Sequence, residues 1–221
     1  MLLETIVVGA LETNCYIIAD DATKDAAIID PGAEGKRIAK RVEDMGLTVR
    51  YILVTHGHMD HMKDAPLLSE TYECPIVVHR EEMEYIHSPE VKASPYSAHV
   101  FQAFQTAVER NGVLVEDEQH LSIGSLDLRV MKVPGHSQAS VCYFLEREGI
   151  VFGGDTLFWR SIGRTDFYGG SATDLITSIR QKLLGLPDEV RVYPGHGPAT
   201  TIGEERGQNP FLNLSAGMWG F

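Results

Sequence analysis

The most informative stretch of the chain is a six-residue run, His56-Gly57-His58-Met59-Asp60-His61. Imidazole nitrogens and carboxylate oxygens are common ligands of transition-metal ions, so the run predicts a metal site. In an extended backbone, residues i and i+2 point to the same side, so His56 and His58 can converge on one ion. If a helix begins at Met59, Asp60 and His61 face a neighbouring point. One ion rarely takes four such ligands from one short loop, and the spacing therefore predicts two adjacent ions.

Three later segments share one form, a histidine or aspartate in a glycine-containing turn directly after a predicted strand. Glycine allows the backbone to turn sharply and to approach a bound group closely. These turns add three candidate ligands, His136, Asp155 and His196. Together with the first run they predict seven ligands along one edge of a sheet. The remaining histidines lack this setting, and surface or core positions are expected for His79, His87, His99 and His120.

Apolar runs, turn residues and helical spacing predict the elements that must position these ligands. Strands are predicted at residues 3–8, 14–19, 26–30, 49–55, 75–78, 126–133, 139–145, 150–152 and 190–193. Helices are predicted at residues 34–45, 60–72, 97–110 and 172–184. Strands that alternate with helices indicate an α/β protein whose sheet is covered by helices. Residues 81–118 are predicted to form a helical excursion from this core.

Length, charge and cysteine usage narrow the function classes. A single domain over residues 1–221 is predicted, since α/β domains commonly exceed about 200 residues. A net charge of −12 without any basic run argues against nucleic acid as a partner. The sequence shows neither a signal peptide nor a window of about 18 uncharged apolar residues, so we expect no membrane partner and a cytoplasmic location. The cysteines are isolated, and burial as small apolar residues is expected for Cys15, Cys74 and Cys142.

The order H-x-H-x-D-H followed by His136, Asp155 and His196 resembles the metallo-β-lactamase superfamily. This resemblance implies an αββα four-layer sandwich with a dinuclear site between its two sheets. Four further segments are similar to the short bacterial form of the glyoxalase II-like, or hydroxyacylglutathione hydrolase, branch. They are Gly154-Asp155-Thr156-Leu157-Phe158, Ser161-Ile162-Gly163-Arg164-Thr165-Asp166-Phe167, Pro194-Gly195-His196-Gly197-Pro198 and Asn209-Pro210-Phe211-Leu212.

The resemblance also implies a role for each candidate ligand. The implied sets are His56, His58 and His136 for the first metal, Asp60, His61 and His196 for the second, and Asp155 as the bridge between them. Asp30 resembles an aspartate that lies behind the ligands, orients a ligand histidine and fixes its tautomer. From the residues alone, Asp30 fits a strand-ending turn equally well. The implied cofactors are two divalent ions, zinc first, with iron or manganese as alternatives.

The expected reaction is hydrolysis of a small thioester that resembles S-2-hydroxyacylglutathione. Two adjacent cations lower the pKa of a shared water toward ~7, so a metal-bridging hydroxide can attack the carbonyl. Asp60 is a candidate proton acceptor, whereas Arg164 and Tyr168 are candidate substrate contacts. Arg164 resembles the basic position that meets the glutathione carboxylate, with a structural ion pair as an equal alternative. About 25 residues follow His196, too few for the helical extension that helps longer members of the branch to bind glutathione.

Other functions remain compatible with the same ligands. The main alternative is a persulfide dioxygenase, which would hold a single iron through His56, His136 and Asp155 in a facial 2-His-1-carboxylate arrangement. Gly197-Pro198 after the last ligand resembles the short hydrolases more than the dioxygenases. Weak β-lactam hydrolysis is a candidate side activity. A metal-holding scaffold without catalysis would be favoured by loss of a ligand, yet all seven candidates are present.

Overall fold

The computed structural model describes residues 1–92 and 95–213, in which fourteen strands form two six-stranded sheets and one small hairpin. The strands are β1 (Leu2–Val8), β2 (Thr13–Ala19), β3 (Asp25–Ile29), β4 (Thr48–Leu53), β5 (Ile76–His79), β6 (Gly112–Val115), β7 (His120–Ile123), β8 (Leu126–Lys132), β9 (Val141–Leu145), β10 (Ile150–Gly154), β11 (Leu157–Phe158), β12 (Ser161–Ile162), β13 (Arg191–Pro194) and β14 (Thr200–Thr201). The helices are α1 (Gly35–Asp44), α2 (Met59–Met62), α3 (Ala65–Tyr72), α4 (Arg80–His87), α5 (Pro89–Lys92), α6 (Pro95–Asn111), α7 (Ala172–Ser178), α8 (Ile202–Gln208) and α9 (Pro210–Asn213). Residues 93–94 and 214–221, which belong to the predicted domain, lie outside the described residues.

Strand direction brings the ends of several strands to one edge of each sheet. The first sheet has the order β1-β2-β3-β4-β5-β6, antiparallel up to β3 and parallel from β3 to β6. The second has the order β14-β13-β10-β9-β8-β7, in which β10 and β13 are the parallel pair. Asp30 after β3 and His56 after β4 therefore leave the first sheet at the same edge. Asp155 after β10 and His196 after β13 leave the second sheet in the same way.

Three apolar clusters separate four layers of structure. One lies between the first sheet and its helices, one between the two sheets, and one between the second sheet and α7. Side chains alternate between faces along a strand, so Cys15 and Ile17 of β2 enter the outer cluster while Tyr16 and Ile18 enter the cluster between the sheets. The predicted αββα sandwich is confirmed. The three cysteines are free and buried, as expected.

The helix predicted at residues 60–72 is two helices, α2 and α3. Pro66 lacks the N–H that would bond to the carbonyl of Met62, so a continuous helix is interrupted there. Asp64 occupies the break, where its backbone N–H donates to Pro31 O and its carboxylate accepts from the N–H of Gly35. Through these two bonds, Asp64 links the end of the ligand helix α2 to the loop after β3.

Other departures from the predicted elements concern short or irregular segments. The helix predicted at 172–184 is α-helical to Ser178 and continues as a π-helical turn, Ile179–Leu183. Residues 81–118 contain most of α4 together with α5, α6 and the unpredicted strand β6. Strands β7, β11, β12 and β14 were also not predicted, because runs of two to four residues carry little periodicity. No helix in the described part of the chain is both long and apolar enough to cross a membrane.

Candidate metal centre

The turns after four strands and the helix α2 deliver all seven predicted ligands to one place. Their donor atoms form three groups, each with its atoms within 4.8 Å of one another. These groups are His56, His58 and His136; His56, His61 and Asp155; and Asp60, His61 and His196. The groups share members, so they make up one continuous centre between the edges of the two sheets. The group of His56, His58 and His136 is called the first donor group, and the group of Asp60, His61 and His196 is called the second donor group.

The first donor group consists of three imidazole rings whose inner nitrogens face one another. His56 Nε2 lies 3.0 Å from His58 Nδ1, and His136 Nε2 lies 3.2 Å and 2.9 Å from these two atoms. Ligands of a tetrahedral ion with bonds of about 2.0–2.1 Å stand ~3.3 Å apart. The three rings therefore have nearly the separation that one ion requires.

The second donor group joins two rings to the carboxylate of Asp60. Asp60 Oδ2 lies 3.3 Å from Nε2 of both His61 and His196. The carboxylate of Asp155 faces both groups, with Oδ1 3.4 Å from His61 Nε2 and Oδ2 3.5 Å from His136 Nε2. Its Oδ2 is also 3.6 Å from His196 Nε2. This position between the groups is the one expected for a bridging ligand.

Two buried atoms of the centre lack hydrogen-bond partners. Within the described residues, His61 Nε2 and Asp155 Oδ1 are buried and unpaired. An unpaired buried polar atom costs about 1–3 kcal/mol, so such atoms rarely persist without a function. A cation between them would satisfy both. The donor set of imidazoles and carboxylates fits zinc, iron and manganese, and does not select one of them.

The outward nitrogen of each ligand histidine is also engaged. Each lies within 3.2 Å of a protein oxygen, which accepts its N–H and leaves the inner lone pair free for an ion. The pairs are His56 Nδ1 with Thr55 Oγ1, His58 Nε2 with the Tyr85 hydroxyl, His61 Nδ1 with Asp30 Oδ2, His136 Nδ1 with the Arg164 carbonyl, and His196 Nδ1 with the Leu11 carbonyl. All five rings are thus fixed in orientation before any ion binds.

Asp30 lies behind the centre, buried, and supports a ligand in each donor group. Its Oδ2 accepts from His61 Nδ1 at 3.0 Å and from the Thr55 hydroxyl at 2.7 Å. Thr55 Oγ1 in turn accepts from His56 Nδ1 at 3.0 Å. Sequence reasoning identified Asp30 but missed Thr55, because a threonine before a metal motif carries no distinctive signal.

The protonation of the rings differs between the two donor groups. Burial and the neighbouring rings lower the pKa of His56 well below its usual value. Mainly burial lowers the pKa of His58 to about 3. Burial also lowers the pKa of His136 below its usual value. These rings are neutral at pH 7, as ligands must be. Burial also opposes protonation of His61, but the carboxylates of Asp155 and Asp30 raise its pKa overall. The hydrogen bond to Asp60 raises the pKa of His196. The acidic side of the centre therefore attracts positive charge.

A cavity of about 470 Å³ opens over the centre and has aromatic walls. Tyr168, half exposed, lines it and stacks on Tyr85 with ring centroids 6.1 Å apart. The side chain of Arg164 does not line this cavity. Its guanidinium pairs with Asp166 at 2.7 Å and lies 4.0 Å over the ring of Phe167. Arg164 thus has the geometry of the structural ion pair, while its carbonyl holds a ligand ring.

The remaining histidines stay outside the centre. His79 is buried at the end of β5, and His87, His99 and His120 are exposed. None of them belongs to a metal-binding group among the residues that the structure describes.

Comparison with known proteins places the fold and the centre in context. The model of one family, the metallo-beta-lactamase superfamily, matches residues 8–196. The chain is 37% identical to the hydroxyacylglutathione hydrolase GloC of Haemophilus influenzae over 215 residues, which cover 96% of this chain and 99% of that protein. Among solved structures, the BLEG-1 B3 metallo-beta-lactamase has a TM-score of 0.82 at 35% identity, over 96% of this chain and 100% of that one.

Two further solved structures are similar along nearly the whole chain. ETHE1 from Myxococcus xanthus has a TM-score of 0.79 at 30% identity, covering 97% of this chain and 86% of that one. TTHA1623 in a di-iron-bound form has a TM-score of 0.78 at 32% identity, covering 95% of this chain and 100% of that one.

Proposed function

The chain belongs to the metallo-beta-lactamase superfamily, and from this premise we propose that it is a metal-dependent hydrolase of a small thioester, such as an S-2-hydroxyacylglutathione. Most members of this superfamily are metal-dependent hydrolases. The observation that carries the proposal is the pair of adjacent donor groups with Asp155 between them. The identity with GloC along almost the full length of both chains supports a thioester as the substrate.

Two divalent ions held by these groups, zinc first and iron or manganese as alternatives, would activate a water molecule and polarise the carbonyl of the substrate. The protein's own part is to keep the three rings of the first donor group neutral and oriented. Asp60 is the proposed proton acceptor, because its carboxylate lines the cavity beside the donor groups. Burial raises the pKa of Asp60, but the facing rings of His196 and His61 lower it overall, so the carboxylate stays ionised at neutral pH.

The cavity over the centre is the proposed site for the thioester. Phe167 and Tyr168 are partly exposed along its wall, so the acyl or thiol group can contact their rings. We retain Tyr168 and Arg164 as proposed substrate contacts. For Arg164 to meet a substrate carboxylate, its guanidinium must exchange the Asp166 carboxylate for that of the substrate.

A mononuclear iron persulfide dioxygenase is the second candidate, supported by the similarity to ETHE1 from Myxococcus xanthus. It would use His56, His136 and Asp155 and would need no second ion. The second donor group, with its unpaired His61 Nε2, favours the dinuclear hydrolase over this candidate. The similarity to the BLEG-1 B3 metallo-beta-lactamase supports weak β-lactam hydrolysis as a side activity.

The decisive experiment measures metal content per chain together with two reactions. We expect two metal ions per chain and turnover of S-lactoylglutathione. This turnover is measured as the decrease of the thioester absorbance. Oxygen uptake with glutathione persulfide is the parallel assay. One iron per chain with oxygen uptake and no thioester turnover would replace the first candidate with the second.

A pair of histidine variants separates the metal centre from the rest of the surface. His196→Ala removes one ligand of the second donor group, and we expect thioester turnover to fall on the order of 100-fold or more. His120→Ala is the matched control, because His120 is exposed on the second sheet, pairs with Asp127 and lies outside both donor groups. Full activity of His196→Ala would contradict a dinuclear mechanism.

A further inference from the structure

Glu82 is a fully buried carboxylate that sequence reasoning did not identify. It lies on α4, has no exposed surface and belongs to neither donor group. Its hydrogen-bond partners are neutral: Oε1 accepts from the N–H of Gly57 at 2.7 Å, and Oε2 accepts from the hydroxyl of Ser137 at 3.0 Å and from the N–H of Ala139 at 2.9 Å. Burial of a carboxylate without an ion pair is costly, so these three bonds must hold it in place.

The three partners of Glu82 come from the two loops that carry the first donor group. Gly57 lies between the ligands His56 and His58. Ser137 and Ala139 lie one and three positions after the ligand His136. These loops leave different sheets and are about 80 positions apart in the sequence. One carboxylate therefore bridges the two loops whose rings must meet at a single ion.

The same face of α4 makes two further contacts with the loop of His58. Side chains at positions i, i+3 and i+4 share a helix face, and these positions are Glu82, Tyr85 and Ile86. The Tyr85 hydroxyl lies 3.2 Å from His58 Nε2. A Cβ on Gly57 would lie 2.6 Å from Ile86 Cγ1, so the helix packs directly on the glycine.

We propose that Glu82 is a positioning residue for the first donor group, holding its two loops at the separation that one metal ion requires. This inference rests on metal binding at the centre but on no particular substrate. Its effect is confined to His56, His58 and His136, because the second donor group is supported by other residues. A carboxylate that merely stabilised the fold would affect both groups alike.

The test compares Glu82→Gln with Glu81→Gln, its neighbour on α4. Glu81 is partly exposed and pairs with Lys132, so its variant controls for a charge change on this helix. Glutamine keeps the size of Glu82 but replaces one acceptor oxygen with an NH₂ group that faces a donor. Zinc affinity is measured by chelator competition in two parent backgrounds, His196→Ala to isolate the first donor group and His58→Ala to isolate the second.

We expect Glu82→Gln to weaken zinc binding about 10–100-fold in the His196→Ala background, the range typical of residues that orient ligands. Binding in the His58→Ala background and in both Glu81→Gln proteins is expected to stay close to that of the parents. Equal weakening in the two backgrounds, or no weakening in either, would overturn the proposal. Absence of zinc binding by the parents would instead contradict the proposed function.

A metal-free measurement decides the inference independently. In the otherwise wild-type protein without metal, Glu82→Gln is expected to speed hydrogen exchange at the amides of Gly57 and Ala139 while leaving the amides of β2 and β3 protected. Uniformly faster exchange would assign Glu82 a general structural role, and unchanged exchange at both amides would remove its role altogether.

A steric variant tests the packing of α4 on this loop without substituting Glu82. Gly57→Ala is expected to weaken zinc binding at the first donor group, because its Cβ would overlap Ile86 Cγ1. Adding Ile86→Ala removes the overlapping atoms and is expected to restore most of the affinity. Unchanged affinity of the single Gly57→Ala protein would count against the proposed packing of α4 on the loop.

Discussion

The carboxylate of Asp30 serves both donor groups through two hydrogen bonds on a single oxygen. One comes directly from His61, and the other comes from Thr55, which in turn accepts from His56. Asp30 adopts a left-handed backbone conformation, with φ at 52°, which is uncommon for residues other than glycine. Strain of this kind persists where the surrounding bonds require it, here the bonds to Thr55 and His61.

Replacement of Asp30 by asparagine tests this shared role. We expect Asp30→Asn to weaken both zinc equivalents about 10–100-fold, because Oδ1 of Asp30 also accepts from the N–H of Thr55. The NH₂ group of asparagine must therefore face either that N–H or the side chains of Thr55 and His61. Asp25→Asn is the control, since Asp25 lies at the other end of β3 and pairs with Arg50. Chelator competition measures both equivalents. Weakening of only one of them would show that Thr55 and His61 do not depend on a common acceptor.

Glu82 also predicts a pH dependence of stability in the metal-free protein. Burial raises its pKa from the ordinary 4.5 to about 7, against three hydrogen bonds that oppose the shift. Between these pH values the folded state binds more protons than the unfolded state, so the contribution of Glu82 to stability is complete below pH 4.5 and is lost as the pH rises through 7. The loss is on the order of 3 kcal/mol.

Urea unfolding of metal-free wild-type and Glu82→Gln proteins across this range measures the effect. The free energy of unfolding of the wild type is expected to fall more steeply with rising pH, because glutamine does not titrate. Parallel pH profiles for the two proteins would mean that Glu82 does not titrate in this window.

At the residue scale, the sequence predicts the metal donors and misses most of their supports. His58 and Asp60 are recognisable because their types and spacing suit an ion without reference to the rest of the fold. Thr55 and Glu82 have ordinary types in ordinary elements, and their roles arise only when loops from two sheets meet. Arg164 contributes in a way that its side chain does not indicate, since its guanidinium pairs with Asp166 while its backbone carbonyl contacts a ligand ring.

Among the elements, the turn after β13 approaches the centre more closely than any side chain would allow. A Cβ on Gly195 would lie 2.2 Å from Asp155 Oδ1 and 2.7 Å from His61 Cε1. The N–H of Gly195 also donates to the Gly154 carbonyl at 2.7 Å. The turn thus brings His196 beside the bridging carboxylate because this position has no side chain.

Gly195→Ala is therefore expected to displace Asp155 or His61 and to lower thioester turnover at least about tenfold, comparable with loss of a ligand-orienting group. Gly153→Ala in the neighbouring strand is the control, because its Cβ would meet Val192 at an ordinary 3.5 Å. Steady-state kinetics and metal content measure both variants. Equal behaviour of the two would refute the close approach at Gly195.

Element boundaries were predictable where periodicity is long and uninterrupted, as in α1 and β8. The break at Pro66 is missed when hydrophobic spacing alone is used, although a proline inside a helical repeat is itself a sequence signal for an interruption. The π-helical turn Ile179–Leu183 lacks a sequence signal, because its apolar face keeps a helical spacing through the extra residue. In both cases the apolar positions are those expected for a helix, but the backbone departs from a continuous α-helix.

At the scale of the whole molecule, the two sheets are joined at the centre by the start of β2 and the end of β13. The N–H of Asn14 donates to the Gly195 carbonyl at 2.7 Å, and its side-chain amide donates to the carbonyls of Pro194 at 3.0 Å and Gly197 at 2.9 Å. Tyr16 adds a bond from its hydroxyl to the Pro194 carbonyl. Asn14 thus holds the loop of His196 from both sides.

Truncation of this side chain is expected to destabilise the protein and the second donor group together. Asn14→Ala removes two hydrogen bonds at about 0.5–1.5 kcal/mol each, since the Pro194 carbonyl keeps the Tyr16 hydroxyl as a donor and Gly197 is exposed to water. Thermal unfolding should show a lower midpoint, and zinc binding at the second donor group should weaken more than at the first. Asn111→Ala, at the exposed end of α6, is the control. An unchanged midpoint would show that the other bonds between the sheets suffice.

The apolar strands and amphipathic helices predict a sheet covered by helices, whereas the four-layer arrangement follows from the family resemblance that the ligand motif carries. The register that places Thr13 beside His196 was not, since it depends on how two distant strands meet. The layers and the ligands could therefore be expected from the sequence. The seam between the sheets, meaning the contacts between the start of β2 and the loop after β13, required the three-dimensional structure.

That seam has a consequence for the order in which the protein is made. His196 is synthesised long after the first sheet, and its outward nitrogen bonds to the carbonyl of Leu11, 185 positions earlier. A nascent chain can assemble the first sheet and the loop from His56 to His61 long before β13 exists. Until then the second donor group is incomplete, because Asp60 and His61 precede their third member, His196, in the chain.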